Sequence, residues 1–264
     1  MTLTTDFGLA DWFVAAMKGV ILGLQPRAVL VDIAHQIPPG DIRAGAFALA
    51  ASHRFFPRGT IHVAVVDPGV GGGRRAIAAR TGNYFFVGPD NGVLSLALAR
   101  ERVEAVHCIT NARFFLHPVS TTFHGRDVFA PVAAHLSKGV PVRQLGPPVK
   151  DWIRLDWPAP RVMKNSVRGE VLYIDRFGNA ITNLDGQSLG TRDKRDWHVW
   201  AGRKRLCRLG SCYQDARVGS PIAVPGSSGF LEIAINGGSA ARAFRLKIGD
   251  PVTARPAPPL PRAL

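Results

Sequence analysis

The sequence predicts a chain in two parts. Residues 1–150 read as an α/β layered domain with a mainly parallel sheet, and residues 166–255 as a small all-β, barrel-like domain. Residues 151–165 read as the linker and 256–264 as a flexible tail. Three observations carry this division. Nearly continuous apolar runs alternate with helical patterns through the first part, as in parallel sheets covered on both faces. Proline then becomes frequent and periodicity is lost between 146 and 160. Beyond that point come only short apolar runs separated by Gly, Asn, Ser and Pro, the grammar of small barrels and sandwiches.

Taken in order, Asp11 is the expected cap of a helix at 12–22, closed by Gly23 and Pro26. Residues 28–33 read as a buried strand, 41–55 as a helix stopped by Pro57 and Gly59, and 60–66 as a further buried strand. Strands are expected at 84–87 and 105–109, with a helix at 93–100 between them. A last helix is expected at 128–136, with Asp127 as its cap and Pro131 in its first turns. Asp6, Asp32 and Asp67 fall at or past the ends of predicted strands, where open α/β sheets bind ligands, so all three are expected to face one crevice. In the second part, strands are expected at 169–174, 197–200, 221–224, 229–235 and 244–248.

Composition narrows the function classes. The chain has 264 residues, 46% of them apolar and 20% charged, which fits a folded globular protein. No apolar run approaches the roughly 18 residues needed to span a bilayer, and the N-terminus has no secretory pattern, so a cytoplasmic protein without membrane partners is expected. Cys108, Cys207 and Cys212 match no zinc or redox spacing, and no metal is expected. The net charge of +14 invites a nucleic-acid reading, and Arg192, Lys194, Arg195, Arg203, Lys204, Arg205 and Arg208 cluster. No recognition motif accompanies them, and a solvated basic surface without a specific nucleic-acid partner is the expectation.

The chemistry-bearing stretches are few. Val-Asp-Pro-Gly-Val-Gly at 66–71 with Arg74, and Thr-Phe-His-Gly-Arg-Asp at 122–127, set charged and titratable side chains beside glycines next to apolar runs. An aspartate, an arginine and a histidine from separate segments are what a site assembles to hold and deprotonate a water. Asp-Phe-Gly at 6–8 spells a kinase motif without the rest of a kinase, and the glycine run at 69–73 lacks the Lys-Ser/Thr of a phosphate loop. Residues 175–183 offer a carboxylate, an aromatic ring and two carboxamides, which suits either a plain hairpin or an adenine site. His35 and His62 read as structural.

Together these segments resemble the S-adenosyl-L-methionine hydroxide adenosyltransferases, relatives of the fluorinase and chlorinase. The resemblance rests on Leu-Thr-Thr-Asp-Phe-Gly at 3–8, Val-Val-Asp-Pro-Gly-Val-Gly at 65–71 and Gly-Pro-Asp-Asn-Gly at 88–92. It continues with the 122–127 motif, Asp-Arg-Phe-Gly-Asn-Ala-Ile-Thr-Asn at 175–183 and Ile-Asn-Gly-Gly-Ser-Ala at 235–240. It implies hydrolysis of S-adenosyl-L-methionine to adenosine and L-methionine by water attacking the ribose C5′, with no further cofactor. It also implies a homotrimer whose sites lie between one subunit's N-terminal domain and a neighbour's C-terminal domain.

By the same resemblance, Asp67, Arg74 and His124 surround the attacking water. Asp6 grips the ribose hydroxyls, Asp11 lies near the methionine end, and Phe123 lines the reaction pocket. Asp175 and Ser227 match groups at the methionine amino acid, while Phe177, Asn179 and Tyr213 match adenine contacts. Halogenating relatives carry a serine at the place of Gly125 and an uncharged aromatic at the place of Asp67. Ser228 stands where the fluorinase has an arginine, which leaves open what holds the methionine carboxylate. The alternatives are a non-catalytic binder of S-adenosylmethionine or adenosine, and a halogenase using the same cofactor as substrate.

Overall fold

The computed structural model describes residues 1–186, 188–189 and 197–256, and divides into two compact units, Met1–Asp156 and Trp157–Leu264. The first unit runs β1 (Thr2–Thr5), α1 (Phe13–Leu24), β2 (Val31–Ala34), α2 (Ile42–Ser52), β3 (Ile61–Val65), β4 (Ala76–Thr81), β5 (Phe85–Pro89), α3 (Ser95–Leu98), β6 (Val103–Cys108) and α4 (Ala130–Ser137). Its sheet has the order β2-β1-β3-β5-β4-β6, and only β4 runs against the rest. The α/β expectation holds, as a mixed sheet. Every residue of β1 and β3 is buried, and for β3 that burial on both faces is why the run reads as almost continuously apolar. Helix α1 buries Val14, Met17 and Ile21 at helical spacing, and Met17 and Ile21 share one core with Leu3, Val63, Phe129 and Val132.

Several expectations need correction. Asp11 does not cap α1: Trp12 is the cap residue, its backbone already helical, and Asp11 is exposed. Strand β2 is a half-exposed edge rather than a buried strand, because the sheet ends there. Asp127 is no cap either. It sits fully buried inside a π-helical turn, Gly125–Phe129, that runs straight into α4. Its carboxylate accepts the Ser120 N–H at 2.8 Å and pairs with Arg126 at 2.6 Å, pinning the preceding loop. By contrast Asp41 caps α2 as its type predicts, accepting from the Ala44 N–H at 2.9 Å.

The second unit contains β7 (Arg161–Met163), β8 (Ser166–Ile174), β9 (Ala180–Asp185), β10 (Trp197–Ala201), β11 (Lys204–Leu209), β12 (Pro221–Pro225), β13 (Phe230–Ile235), α5 (Ala240–Phe244) and β14 (Pro251–Pro256). The order β14-β10-β11-β12-β13-β9-β8 closes through β14–β8 into a barrel of seven strands, with β7 paired outside it on β8. Closure leaves no free edge among those seven. Val171, Leu184, Val199, Ile233 and Val252 fill its core.

The strand expected at 244–248 is absent. Helix α5 ends at Phe244, Arg245 turns left-handed at φ 56°, and the chain turns through Lys247 and Asp250 before β14 begins. Arg192, Lys194 and Arg195 of the basic cluster, and the tail after Pro256, lie outside the described residues. Among the described residues no helix is long and apolar enough to cross a membrane.

Candidate active site

Strand ends place the acids of the first unit. Asp6 follows β1 directly and Asp67 lies just past β3, its neighbour in the sheet. Both line one cavity of about 360 Å³, together with Phe7, Phe13, Gly40, Pro68, Thr122 and Phe123. Asp6 Oδ2 accepts the Gly40 N–H at 2.7 Å, which aims the carboxylate. Phe123 stands edge-on to Phe7 and Phe13, with ring centroids 5.8 and 5.1 Å away, so an aromatic wall flanks the acids. Asp32 does not join them. It sits on edge strand β2, where it pairs with Lys18 at 2.6 Å and His35 at 3.1 Å.

From Asp67 a linear chain of contacts runs through Arg74 to His124. The Arg74 guanidinium donates through Nε to both Asp67 oxygens at 3.0 Å and through a terminal nitrogen to Oδ2 at 2.5 Å. A terminal nitrogen also meets His124 Nδ1 at 2.7 Å. Guanidinium has only donors, so Nδ1 accepts and the neutral ring carries its proton on Nε2. Burial and then the nearby Arg74 charge push the His124 pKa below its usual value, which keeps the ring neutral. The Asp67 and Arg74 side chains are 4% and 12% exposed, so this pair is held away from water.

One glycine makes the chain of contacts possible, and a second keeps the pocket wall clear. Gly71 has φ +75°, and a Cβ there would fall 2.1 Å from the Thr121 carbonyl oxygen. Only glycine lets the 67–74 loop lie against the segment carrying His124. At Gly125 a Cβ would meet Met17 Sδ and the Phe123 ring at 3.1 Å, so a serine there would press on the pocket wall.

The second unit gathers its own set. Asp175, Phe177, Asn179, Tyr213 and Ser227 line one cavity of about 610 Å³, with Glu232 and residues 235–238. Asp175 and Asn179 close the β8–β9 turn: the carboxylate accepts the Asn179 N–H at 2.8 Å and its side-chain amide at 3.0 Å. Gly178, with φ +82°, sits where a Cβ would collide with Ser239. Phe177 is 76% exposed, so its ring is open to a stacking partner.

All five sequence-predicted residues of this unit meet, as do Asp6, Asp67, Phe123, Arg74 and His124 in the first. Asp11 stays outside both cavities, exposed before α1. Sequence reasoning missed Glu232, although a lone carboxylate between Leu231 and Ile233 in an apolar strand was a visible signal. It also missed the Gly40 amide, for which a backbone donor leaves no side-chain trace. His35 and His62 are structural, as expected: each is buried, with Nδ1 bonded to Thr5 at 2.8 Å and to Thr2 at 2.7 Å. Among the described residues no cluster of His, Cys, Asp and Glu is arranged to hold a metal.

Known proteins are similar to this chain in sequence and in fold. The sequence profile of the SAM hydroxide adenosyltransferase N-terminal domain matches residues 1–146, and that of the C-terminal domain matches residues 169–253. An (R)-S-adenosyl-L-methionine hydrolase from Salinispora arenicola is 42% identical over 255 residues, covering 95% of each chain. A fluorinase from Actinoplanes sp. is more distant, 27% identical over 282 residues, covering 94% of this chain and 95% of its own. A crystal structure of an uncharacterized conserved protein from Thermotoga maritima superposes with a TM-score of 0.91 at 36% identity, over 96% of this chain and 99% of the other.

Proposed function

The chain belongs to the S-adenosyl-L-methionine hydroxide adenosyltransferase family, and we propose that it hydrolyses (R)-S-adenosyl-L-methionine to adenosine and L-methionine. The observation that carries this reading is the Asp67–Arg74–His124 chain, whose Asp67 end lines a cavity together with Asp6. Water attacks the ribose C5′ while the C5′–S bond breaks. The bonding pair returns to sulfur, yielding the methionine thioether, and one water proton is released. The sulfonium leaves without protonation, so the residues have only to position and activate the water.

Asp67 takes that proton. Its Oδ1 accepts a single N–H from Arg74, and a carboxylate oxygen has room for a second donor. Arg74 stays cationic and stabilises the developing hydroxide. His124, neutral and accepting from Arg74, fixes the guanidinium. Asp6 binds the ribose hydroxyls. In the second unit Phe177, Asn179 and Tyr213 hold adenine, and Asp175 and Ser227 hold the methionine end. That cavity is lined by two carboxylates, Asp175 and Glu232, and among the described residues by no Lys or Arg. In a chain of net charge +14, such a lining suits a cationic substrate.

The two residue sets belong to different units, and the reading includes a homotrimer in which different subunits supply them. A cytoplasmic location also belongs to it, in keeping with three unpaired cysteines. Incubation of the protein with S-adenosylmethionine tests the reading: adenosine and methionine should form in equal amounts. Formation of 5′-halo-adenosine in chloride or fluoride would refute it.

A further inference from the structure

Glu232 is a buried acid that the reaction, as described, does not use. Along β13 its neighbours Leu231 and Ile233 fill the barrel core, which turns Glu232 to the alternate face with Ala234. That face is covered as well, for Glu232 is 6% exposed. Burying a carboxylate is costly, and an apolar residue opposite Val224 and Ile181 would satisfy the barrel alone. Space has nevertheless been cleared for it: a Cβ on Gly226 would fall 2.0 Å from Glu232 Oε1. Its other oxygen accepts the Tyr213 hydroxyl at 2.6 Å. Tyr213 rides on a short 3₁₀ turn, Tyr213–Asp215, and its side chain lines the same cavity while the residue stays 42% exposed.

From this geometry we propose that Glu232 is a positioning residue, a buried tether that holds the Tyr213 ring as a wall of the substrate cavity. The proposal rests on the reading of that cavity as an S-adenosylmethionine site. A ring on an exposed turn samples many orientations, and each one away from the cavity weakens binding by the fraction of time it is populated. A short hydrogen bond to a buried acceptor removes that freedom before substrate arrives. Burial and the adjacent Glu232 also push the Tyr213 pKa upward, so the phenol remains a donor. The tether acts on affinity and not on the bond-making step, since neither residue belongs to the Asp67–Arg74–His124 chain.

The test compares Glu232→Leu, Glu232→Gln and Tyr213→Phe with the wild type. It reads KM and kcat for S-adenosylmethionine and the Kd for adenosine by calorimetry. Leu and Phe should each raise KM and Kd about tenfold with kcat within about twofold, the size expected for losing one buried hydrogen bond. Gln, whose side-chain carbonyl still accepts the phenol proton, should come back to within about threefold of wild type. The double variant Glu232→Leu/Tyr213→Phe should bind no worse than either single one. Wild-type KM and Kd in the Leu or Phe protein, or no rescue by Gln, would overturn the tether. If Glu232→Leu does not fold, the Tyr213→Phe and Glu232→Gln proteins decide alone. A wild-type protein that neither turns over S-adenosylmethionine nor binds adenosine would instead defeat the reading of the cavity.

Discussion

Arg74 serves two partners with different needs. Asp67 gains from its positive charge, whereas His124 loses the ability to take a proton beside it. Burial is the larger cause of the lowered His124 pKa and Arg74 the second, while Asp67 and Asp127 pull the other way. His124 should therefore titrate below about 6.5 in the folded protein, and the rate should hold through that pH and fall only further into acid. The linkage has the matching sign. A histidine depressed in the fold contributes stability that is present above its unfolded pKa and is lost as pH drops toward the folded one. NMR of the imidazole should place the midpoint below 6.5, and Arg74→Gln should move it upward. An unchanged midpoint would mean that the 2.7 Å contact does not govern the ring. In the same set, Asp67→Asn should lower kcat about 10²-fold or more with little change in substrate affinity.

Elements carry these side chains to one place, and their legibility in the sequence was uneven. Strand β3 was readable because both of its faces are buried, so Asp67 could be placed at a strand end from the chain alone. Strand β11 was not, because Lys204, Arg205 and Arg208 face out and mask Leu206 and Leu209 facing in. That alternation looked like a charge cluster. Helix α5 and strand β14 were exchanged for a strand because the left-handed turn at Arg245 has no glycine to announce it. Asp127 looked like a cap and is a buried anchor, since a π-helical turn continues the helix backward past it.

The named site residues other than Asp11 fall into two spatial groups, one in each unit, because ordered motifs fix them where hydrophobic periodicity does not. Gly71 is the place where an element and the site meet. Gly71→Ala puts a Cβ against the Thr121 carbonyl and strains a positive φ. The 67–74 loop must then retreat and carry Arg74 away from His124. The expected result is a kcat loss of about 10²-fold or more in a protein that still binds adenosine through the second unit, the size that a small misplacement of catalytic groups produces. Full activity in Gly71→Ala would show that the loop contact is dispensable.

At the scale of the molecule, the first unit supplies the groups proposed to act on water and ribose, and the second those proposed to bind adenine and methionine. The proposed sharing of the site between subunits has a testable consequence. His124→Ala and Asn179→Ala proteins, each inactive alone, should recover activity after subunit exchange, because some sites in mixed trimers combine two intact halves. No recovery despite verified exchange would place both halves in one chain. The central claim, that water is the nucleophile at C5′, is tested most directly by running the reaction in ¹⁸O-labelled water and weighing the products. The account predicts one ¹⁸O atom in adenosine, at the 5′-hydroxyl, and none in methionine. Unlabelled adenosine, or label in methionine alone, would contradict it.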